Sequence, residues 1–116
     1  LYEDKNFMRR LAAVEVELKA LEYIELRTLA SVSEGKAPGA ESSFLKLIGT
    51  EIQQKIDTLY MDAAGYYSLP YKPDTVVGEG NEIDSALRYF NYRKATIYAG
   101  SNEIQKNIIA KHVLGL

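Results

Sequence analysis

Two long stretches of helical periodicity limit what this chain can fold into more than any other feature. In each stretch, apolar residues recur every three or four positions, which is the spacing of one face of an amphipathic α-helix. The first, from about Asn6 to Ser33, contains neither proline nor glycine and predicts a helix of about 27 residues, about 40 Å long. The second runs from about Glu41 to Ala64. The apolar positions are Leu11, Val14, Leu18, Leu21 and Ile24 in the first, and Leu45, Ile48, Ile52, Ile56, Leu59 and Ala63 in the second.

Turn-forming residues separate the two predicted helices and place them side by side. Gly35 is expected to end the first helix, and Pro38 prevents the helix from resuming. Gly65 is placed to end the second helix, and Asp4 to cap the start of the first. Because the connection between them is short, the two helices are predicted to be antiparallel neighbours.

Residues 66–82 predict a long irregular connection, because prolines and glycines recur along this segment. The segment also contains Tyr66, Tyr67 and Tyr71. Tyrosine fills interfaces well, so we expect these side chains to anchor the connection on the helices, with contact to a ligand as the alternative.

Two shorter helices are predicted after this connection, over Ile83–Tyr98 and Asn102–Val113. Leu87, Phe90 and Ile97 are expected to face inward. The scattered cations Arg88, Arg93 and Lys94 are expected to be solvated rather than to bind phosphate. No segment shows the alternation that is typical of strands. The sequence therefore predicts an all-α fold, an antiparallel four-helix bundle, as a single domain over residues 1–116.

Composition and charge exclude several classes of function. The net charge of −2 provides no electrostatic case for binding nucleic acid or an anionic membrane. No apolar run approaches the roughly 20 residues of a membrane span. The chain has no cysteine, which is typical of a reducing compartment, so we expect a cytoplasmic location. His112 is the only histidine and has no potential ligand at a useful spacing, so no metal site is predicted.

The connection between the last two helices, Tyr98–Gln105, is called the junction below. Gly100 can turn the backbone sharply and lets another molecule approach it closely. Ser101 is suited to cap the following helix, and Glu103 suits the positive end of the helix dipole. The junction thus combines free amides with short polar side chains, which are groups that bind a polar ligand. By spacing alone, the same residues also fit an ordinary tight connection between helices.

The segment Tyr98–Leu116 reads YAGSNEIQKNIIAKHVLGL, and Arg88–Ile97 before it reads RYFNYRKATI. Together they resemble the C-terminal signature of the flavin-dependent acyl-CoA dehydrogenases. Upstream, the resemblance is limited to helix lengths and pattern. The resemblance implies that residues 1–116 are the C-terminal part of a longer flavoprotein.

The resemblance also implies an FAD site at the junction. By position, Gly100 lets the backbone approach the cofactor, and Ser101 keeps the hydroxyl of the threonine that is usual in the family. Glu103 stands where the family has a Glu or Gln that contacts the flavin nucleotide. Ala99 stands where one branch has the glutamate that abstracts the α-proton, so no catalytic residue is carried over. Gln105 continues the family's Glu-Ile-Gln pattern and is expected to be structural.

The reaction that the resemblance implies is α,β-dehydrogenation of an acyl-CoA, with the hydride passing to FAD. The implied partners are the acyl-CoA substrate, an electron-transfer acceptor, and like subunits in a homo- or hetero-oligomer. The catalytic base lies either on sequence outside this chain or on an active partner subunit. The broad apolar face of the first helix, widened by Val16, Leu26 and Leu29, is expected to supply much of the oligomer interface.

A second interpretation comes from a different class, a cofactor-free helical module for interaction or oligomerisation. Ala99 favours it, because alanine cannot abstract a proton. The family's Gly-rich turn after the second helix also favours it, because only Gly65 of that turn is recognisable here. A β-rich flavin-binding region upstream of Leu1 would support the enzyme, whereas a start codon near Leu1 would support the module.

Overall fold

The first two helices begin and end close to where their capping residues predict. In the computed structural model, α1 spans Lys5–Ser33 and α2 spans Glu41–Ala64. The Asp4 carboxylate accepts hydrogen bonds from two amides of the first turn of α1, at 2.9 and 3.0 Å. Gly65, with a φ of 56°, ends α2. The predicted bounds of α2 and the predicted cap of α1 are therefore confirmed.

α1 and α2 pack antiparallel through their apolar stripes. Near one end of the pair Arg10 forms an ion pair with Asp62, and nearer the middle Glu17 pairs with Lys55 at 2.6 Å. Between the helices lies a small core in which Ile52 is only 2 % exposed. The core comprises Val14, Ile52 and Leu59, with Phe7, Leu21 and Ile48 packed against them. The predicted antiparallel pair is therefore confirmed.

α2 is the central helix, and two shorter helices follow each other along the side opposite α1. α3 spans Ser85–Tyr92 and α4 spans Asn102–Ile109, and both contact α2. The α3 contacts fall in the C-terminal half of α2, where Gln54 donates to the Tyr92 carbonyl at 3.3 Å. The α4 contacts fall in the N-terminal half of α2, where Lys46 donates to Asn102 at 2.8 Å. The predicted all-α fold with four helices is therefore confirmed.

The molecule is elongated rather than spherical. Its extents are 52 × 29 × 27 Å, and its radius of gyration is 17.7 Å, whereas a compact chain of this length has a radius of about 13 Å. On α1, Val14 is the only buried residue. Leu11 and Leu18, which the sequence places on the same apolar face as Val14, are exposed. Much apolar surface of α1 therefore faces solvent.

The connection after α2 differs from the prediction of wholly irregular structure. A 3₁₀ turn spans Gly65–Ser68, and two short antiparallel strands follow, β1 (Val76–Val77) and β2 (Asn81–Glu82). The prediction failed here because pairing between two-residue segments leaves no periodicity in the sequence. The structure describes residues 1–37, 39–71, 76–77, 81–82 and 84–116. Pro38, Pro73, Gly78, Gly80 and Ile83, on which parts of the predictions rested, lie outside these residues.

The tyrosines of this connection anchor it less than predicted. Tyr66 and Tyr67 are exposed. Tyr71 packs edge-to-face on Phe90, with ring centroids 5.8 Å apart. The anchoring prediction is therefore wrong for Tyr66 and Tyr67, and of the three tyrosines Tyr71 alone makes such a contact with the described residues.

The third helix is shorter than predicted. α3 ends at Tyr92, and a 3₁₀ turn over Arg93–Thr96 follows. This tighter winding changes the direction of later side chains, and Ile97 is 69 % exposed instead of facing inward. Phe90 is also exposed, because α3 approaches α2 through its small buried residues Ser85 and Ala86.

The fourth helix continues beyond α4 as a π-helical turn over Ala110–Leu114, one residue past the predicted end. Among the residues that the structure describes, no helix combines the length and the apolar character needed to cross a membrane.

Candidate functional site

The junction turns the chain into α4 through two consecutive residues with positive φ. Ala99 has a φ of 55° and Gly100 a φ of 85°. This conformation costs a non-glycine residue about 1–2 kcal/mol, so Ala99 must be held there by its surroundings, whereas Gly100 adopts it freely. The Ser101 hydroxyl then accepts from the Ile104 amide at 3.5 Å, as the predicted cap of α4.

Gln105 holds the turn from within the junction. Its side chain is buried, and its amide nitrogen donates to the carbonyls of Ala99 and Gly100 at 3.3 and 3.5 Å. A Cβ atom on Gly100 would lie 2.8 Å from this nitrogen. A side chain at this position would therefore have to displace the end of the Gln105 side chain, and the positive φ also favours glycine. The contacts of Gln105 agree with the structural role expected for it.

Asn102 makes a contact that sequence reasoning did not reveal. It is buried at the start of α4, and its Oδ1 accepts from Lys46 Nζ at 2.8 Å and from Thr50 Oγ1 at 3.3 Å. The two donors are four residues apart on α2, so they lie on the same face of the helix. This spacing is the only sign in the sequence that Lys46 and Thr50 could share one partner. The Asn102 side chain thus faces α2 and is not open to a ligand.

The residues predicted to bind a cofactor lie together on an open surface. Gly100 and Glu103 are exposed, and Ser101 is half-buried. The pKa of the Glu103 carboxyl lies below its usual range, first because of a hydrogen bond from its own backbone amide and then because of one from the Ser101 hydroxyl. The nearby cations of Lys106 and Lys46 act in the same direction. The turn therefore presents to solvent a carboxylate, a hydroxyl and a bare stretch of backbone.

A second polar cluster lies between α2 and α3. Asp57 is fully buried and accepts hydrogen bonds from Gln53 at 3.1 Å and from Arg88 at 3.4 Å. The Arg88 guanidinium also lies over the rings of Tyr60 and Tyr92, 5.9 and 5.7 Å from their centroids. The prediction that Arg88 is a solvated cation is therefore only partly right, because its side chain is 42 % exposed but also contacts a buried carboxylate and two aromatic faces.

Arg93 also departs from the prediction. Its guanidinium donates to the Gln54 carbonyl at 3.2 Å and lies 4.2 Å from the centroid of the Tyr89 ring. Lys94, in contrast, is exposed and bonds only its neighbour Asn91 at 2.8 Å, among the contacts of the described residues. Gln54 in turn donates to the carbonyls of Tyr92 and Arg93 at the C-terminal end of α3. The last carbonyl groups of a helix have no partner within it, so they need donors from elsewhere.

The described residues contain no group of three or more metal-ligating side chains. His112 is exposed in the π-helical turn. We take the junction as the candidate site, because its exposed turn presents polar groups and bare backbone to solvent.

The model of the acyl-CoA dehydrogenase C-terminal domain matches residues 1–114 of the chain. The chain belongs to this family. It is 36 % identical over 118 residues to the acyl-CoA dehydrogenase IpdE1 of Mycobacterium tuberculosis. It is 32 % identical over 115 residues to the acyl-CoA dehydrogenase IpdE1 of Mycolicibacterium smegmatis. The alignments cover 98 % of this chain but only 28 and 26 % of these relatives, so the chain spans about a quarter of their length. No solved structure matches the chain.

Membership of the acyl-CoA dehydrogenase family confirms the resemblance carried by the C-terminal signature. Ala99 lies in the exposed turn of this acyl-CoA dehydrogenase domain. A methyl side chain neither accepts nor donates a proton, so Ala99 offers no acid–base chemistry.

Proposed function

We propose that this domain forms one wall of the FAD site of a longer acyl-CoA dehydrogenase, and that Gly100, Ser101 and Glu103 contact the cofactor. The observation that carries the proposal is the construction of the turn. Its outer surface is open, whereas its neighbours Asn102 and Gln105 are buried and hydrogen-bonded. A bare backbone held rigidly from behind suits close approach by a flat ligand.

The chemistry of the turn fits the uncharged parts of FAD better than its phosphates. Ring N–H and ribityl hydroxyl groups are donors, and they pair with carboxylate and hydroxyl oxygens. Glu103 is ionised near neutral pH, as any exposed glutamate is, and its pKa is lowered further, first by its own amide and then by the Ser101 hydroxyl. A negative carboxylate repels a pyrophosphate. We therefore assign Ser101 and Glu103 to the isoalloxazine or ribityl part, with Gly100 beside it.

The proposed reaction is the α,β-dehydrogenation of an acyl-CoA thioester. Bound FAD supplies the hydride acceptor for this chemistry. The turn of this chain contributes binding and orientation, and Ala99 contributes no base. We therefore assign the carboxylate that takes the α-proton to the rest of the polypeptide or to a partner subunit. The proposal includes an electron-transfer acceptor and a cytoplasmic location.

The exposed apolar surface of α1 supports an oligomer interface as a further part of the proposal. A helix that is apolar on more than one face is normally enclosed, and contiguous apolar surface marks an interaction site. The large exposed apolar residues of α1 are Leu11, Val16, Leu18, Tyr23, Leu26, Leu29 and Val32. We propose that a like subunit covers this surface.

Titration of the full-length apoprotein with FAD tests the proposed site. Ser101→Ala and Glu103→Ala are each expected to raise the Kd for FAD about tenfold, since each removes one hydrogen bond to the ligand. Ser101→Thr keeps the hydroxyl and should keep the affinity. Ser33→Ala is the matched control, because it removes an exposed serine hydroxyl at the end of α1. Unchanged affinity in both Ser101→Ala and Glu103→Ala would contradict the proposal.

Residues 1–116 alone are expected to show no dehydrogenase activity and to retain no FAD on gel filtration. One wall of a site does not enclose a cofactor, and the chain's turn supplies no base. FAD retention together with measurable dehydrogenation by these residues would overturn this expectation. A full-length reading frame without a flavin-binding region would instead favour the cofactor-free helical module.

A further inference from the structure

Lys46 has surroundings that are unusual for a lysine on a helix surface. It is half-buried on α2, its Nζ donates to the neutral Asn102 side chain, and it forms no ion pair with the residues that the structure describes. Lys55, the other lysine of α2, is exposed and pairs with Glu17 at 2.6 Å. Moving an ammonium group out of water toward an uncharged partner has a free-energy cost. Lys46 is therefore not an ordinary solvated surface lysine, and its contact with Asn102 suggests a specific role.

Asn102 connects Lys46 to the junction. It is 4 % exposed and is the first residue of α4, directly between Ser101 and Glu103 in the chain. Its Oδ1 also accepts from Thr50, whose hydroxyl lies 3.0 Å from the Leu47 carbonyl and therefore shares its proton. The stronger of the two links to α2 is thus the charge-assisted bond from Lys46.

Two sets of contacts hold the turn, and they come from different parts of the fold. Gln105 binds the carbonyls of Ala99 and Gly100 within the junction itself. Lys46 binds the start of α4 from α2, across 56 positions of sequence. Because Asn102 cannot rotate without losing its bonds to α2, the directions in which Ser101 and Glu103 leave the backbone are fixed as well.

We propose that Lys46 is a positioning residue for the FAD site, which acts through Asn102 to hold Ser101 and Glu103 toward the cofactor. Thr50 assists it through the same oxygen. This inference rests on the flavin site proposed above. Lys46 itself does not contact the cofactor in this proposal, so most of its effect must disappear once Asn102 can no longer receive its hydrogen bond, and only the weaker influence of its charge on Glu103 remains.

A double-mutant cycle in the full-length apoprotein, read as the Kd for FAD, tests this route. Lys46→Met and Asn102→Ala are each expected to raise the Kd about tenfold, since each breaks the same charge-assisted hydrogen bond. The double variant should show about the same tenfold loss, because residues that act as a unit are not additive. Thr50→Val should raise the Kd less, by about threefold. Lys55→Met is the matched control and should leave the Kd unchanged.

Two further readouts separate positioning from a purely structural role. Each variant is titrated well below its thermal midpoint, and the visible circular dichroism of the bound flavin is recorded. Lys46→Arg should retain most of the affinity and the wild-type spectrum, whereas Lys46→Met should change both. A lowered thermal midpoint with unchanged Kd and spectrum would overturn the inference, as would additive losses in the cycle. Failure of the wild-type protein to bind FAD would instead defeat the proposed function, and this inference with it.

Discussion

The α1–α2 pair and the junction both rest on α2, but they are held by opposite kinds of group. Between α1 and α2 the buried centre is apolar, around Ile52, and the ion pairs are half-exposed at its rim. At the junction the buried side chains are the amides of Asn102 and Gln105, each with two hydrogen-bond contacts. Apolar contact depends little on direction, whereas hydrogen bonds fix the orientation of both partners.

This difference agrees with the two tasks that we propose for the domain. α1 is attached along one stripe and leaves its other apolar faces open, which suits an interface with another protein. The junction is fixed in orientation and leaves polar groups open, which suits a small ligand. The four predictions that follow probe the two regions in turn, in order of decreasing effect on the stability of the domain.

The largest effect is expected from Ile52→Ala in the apolar centre. Deleting a buried isoleucine side chain leaves a cavity and should lower the free energy of unfolding by about 3 kcal/mol. Urea unfolding followed by circular dichroism measures the change. Ile56→Ala, one turn later on α2 and 36 % exposed, is the matched control and should cost less than about 1 kcal/mol. Equal losses would show that the contact between α1 and α2 is not centred on Ile52.

Gly100→Ala should have the next largest effect and tests the polar region. It forces alanine into a φ of 85° and brings a Cβ atom within 2.8 Å of Gln105 Nε2. We expect a loss of about 2 kcal/mol in the free energy of unfolding. Gly115→Ala is the control, since Gly115 also has a positive φ but nothing lies within 4 Å of its Cβ position. A loss no greater than in Gly115→Ala would mean that Gln105 yields easily and does not hold the turn.

The double variant Leu26→Ser/Leu29→Ser should change the unfolding free energy of the domain by less than about 0.5 kcal/mol per site, because both side chains are exposed. In the full-length protein the same changes should weaken the oligomer, which sedimentation velocity measures. Glu22→Gln/Glu25→Gln, on exposed positions of the same helix, is the control. An unchanged oligomer in the serine variant would place the interface elsewhere.

Glu103→Gln is expected to have the smallest effect on stability. The effect should appear only at pH values above the pKa of the Glu103 carboxyl. The pKa of Glu103 is lowered in the folded protein by its own amide, then by Ser101 and the nearby lysines. Its stabilising contribution is therefore full above the ordinary value of 4.5 and is lost as the pH falls through the lower folded value. Wild type and variant should differ in thermal midpoint at neutral pH and converge in acid. A difference that persists at the lowest pH would contradict this assignment.

Several features could be predicted from the sequence because neighbouring residues determine them. Asp4 and Ser101 cap α1 and α4 as their residue types indicate, and Gly65 ends α2. The apolar period predicted the two long helices, and the short connection between them predicted that they are antiparallel neighbours. The signature over Tyr98–Leu116 identified the family. In each case the determining interactions lie within a few positions of one another or repeat with a regular spacing.

Other features were decided by tertiary structure alone. Asn102 meets Lys46 across 56 positions and Arg88 meets Asp57 across 31, and no local pattern marks either pair. The exposure of Ile97 follows from the 3₁₀ turn before it, where α3 ends against Gln54 of α2. Helix propensity, capping and periodicity are local, so the sequence alone determined which helices form. Which polar groups become buried depends on how those helices dock, and only the folded chain decides that.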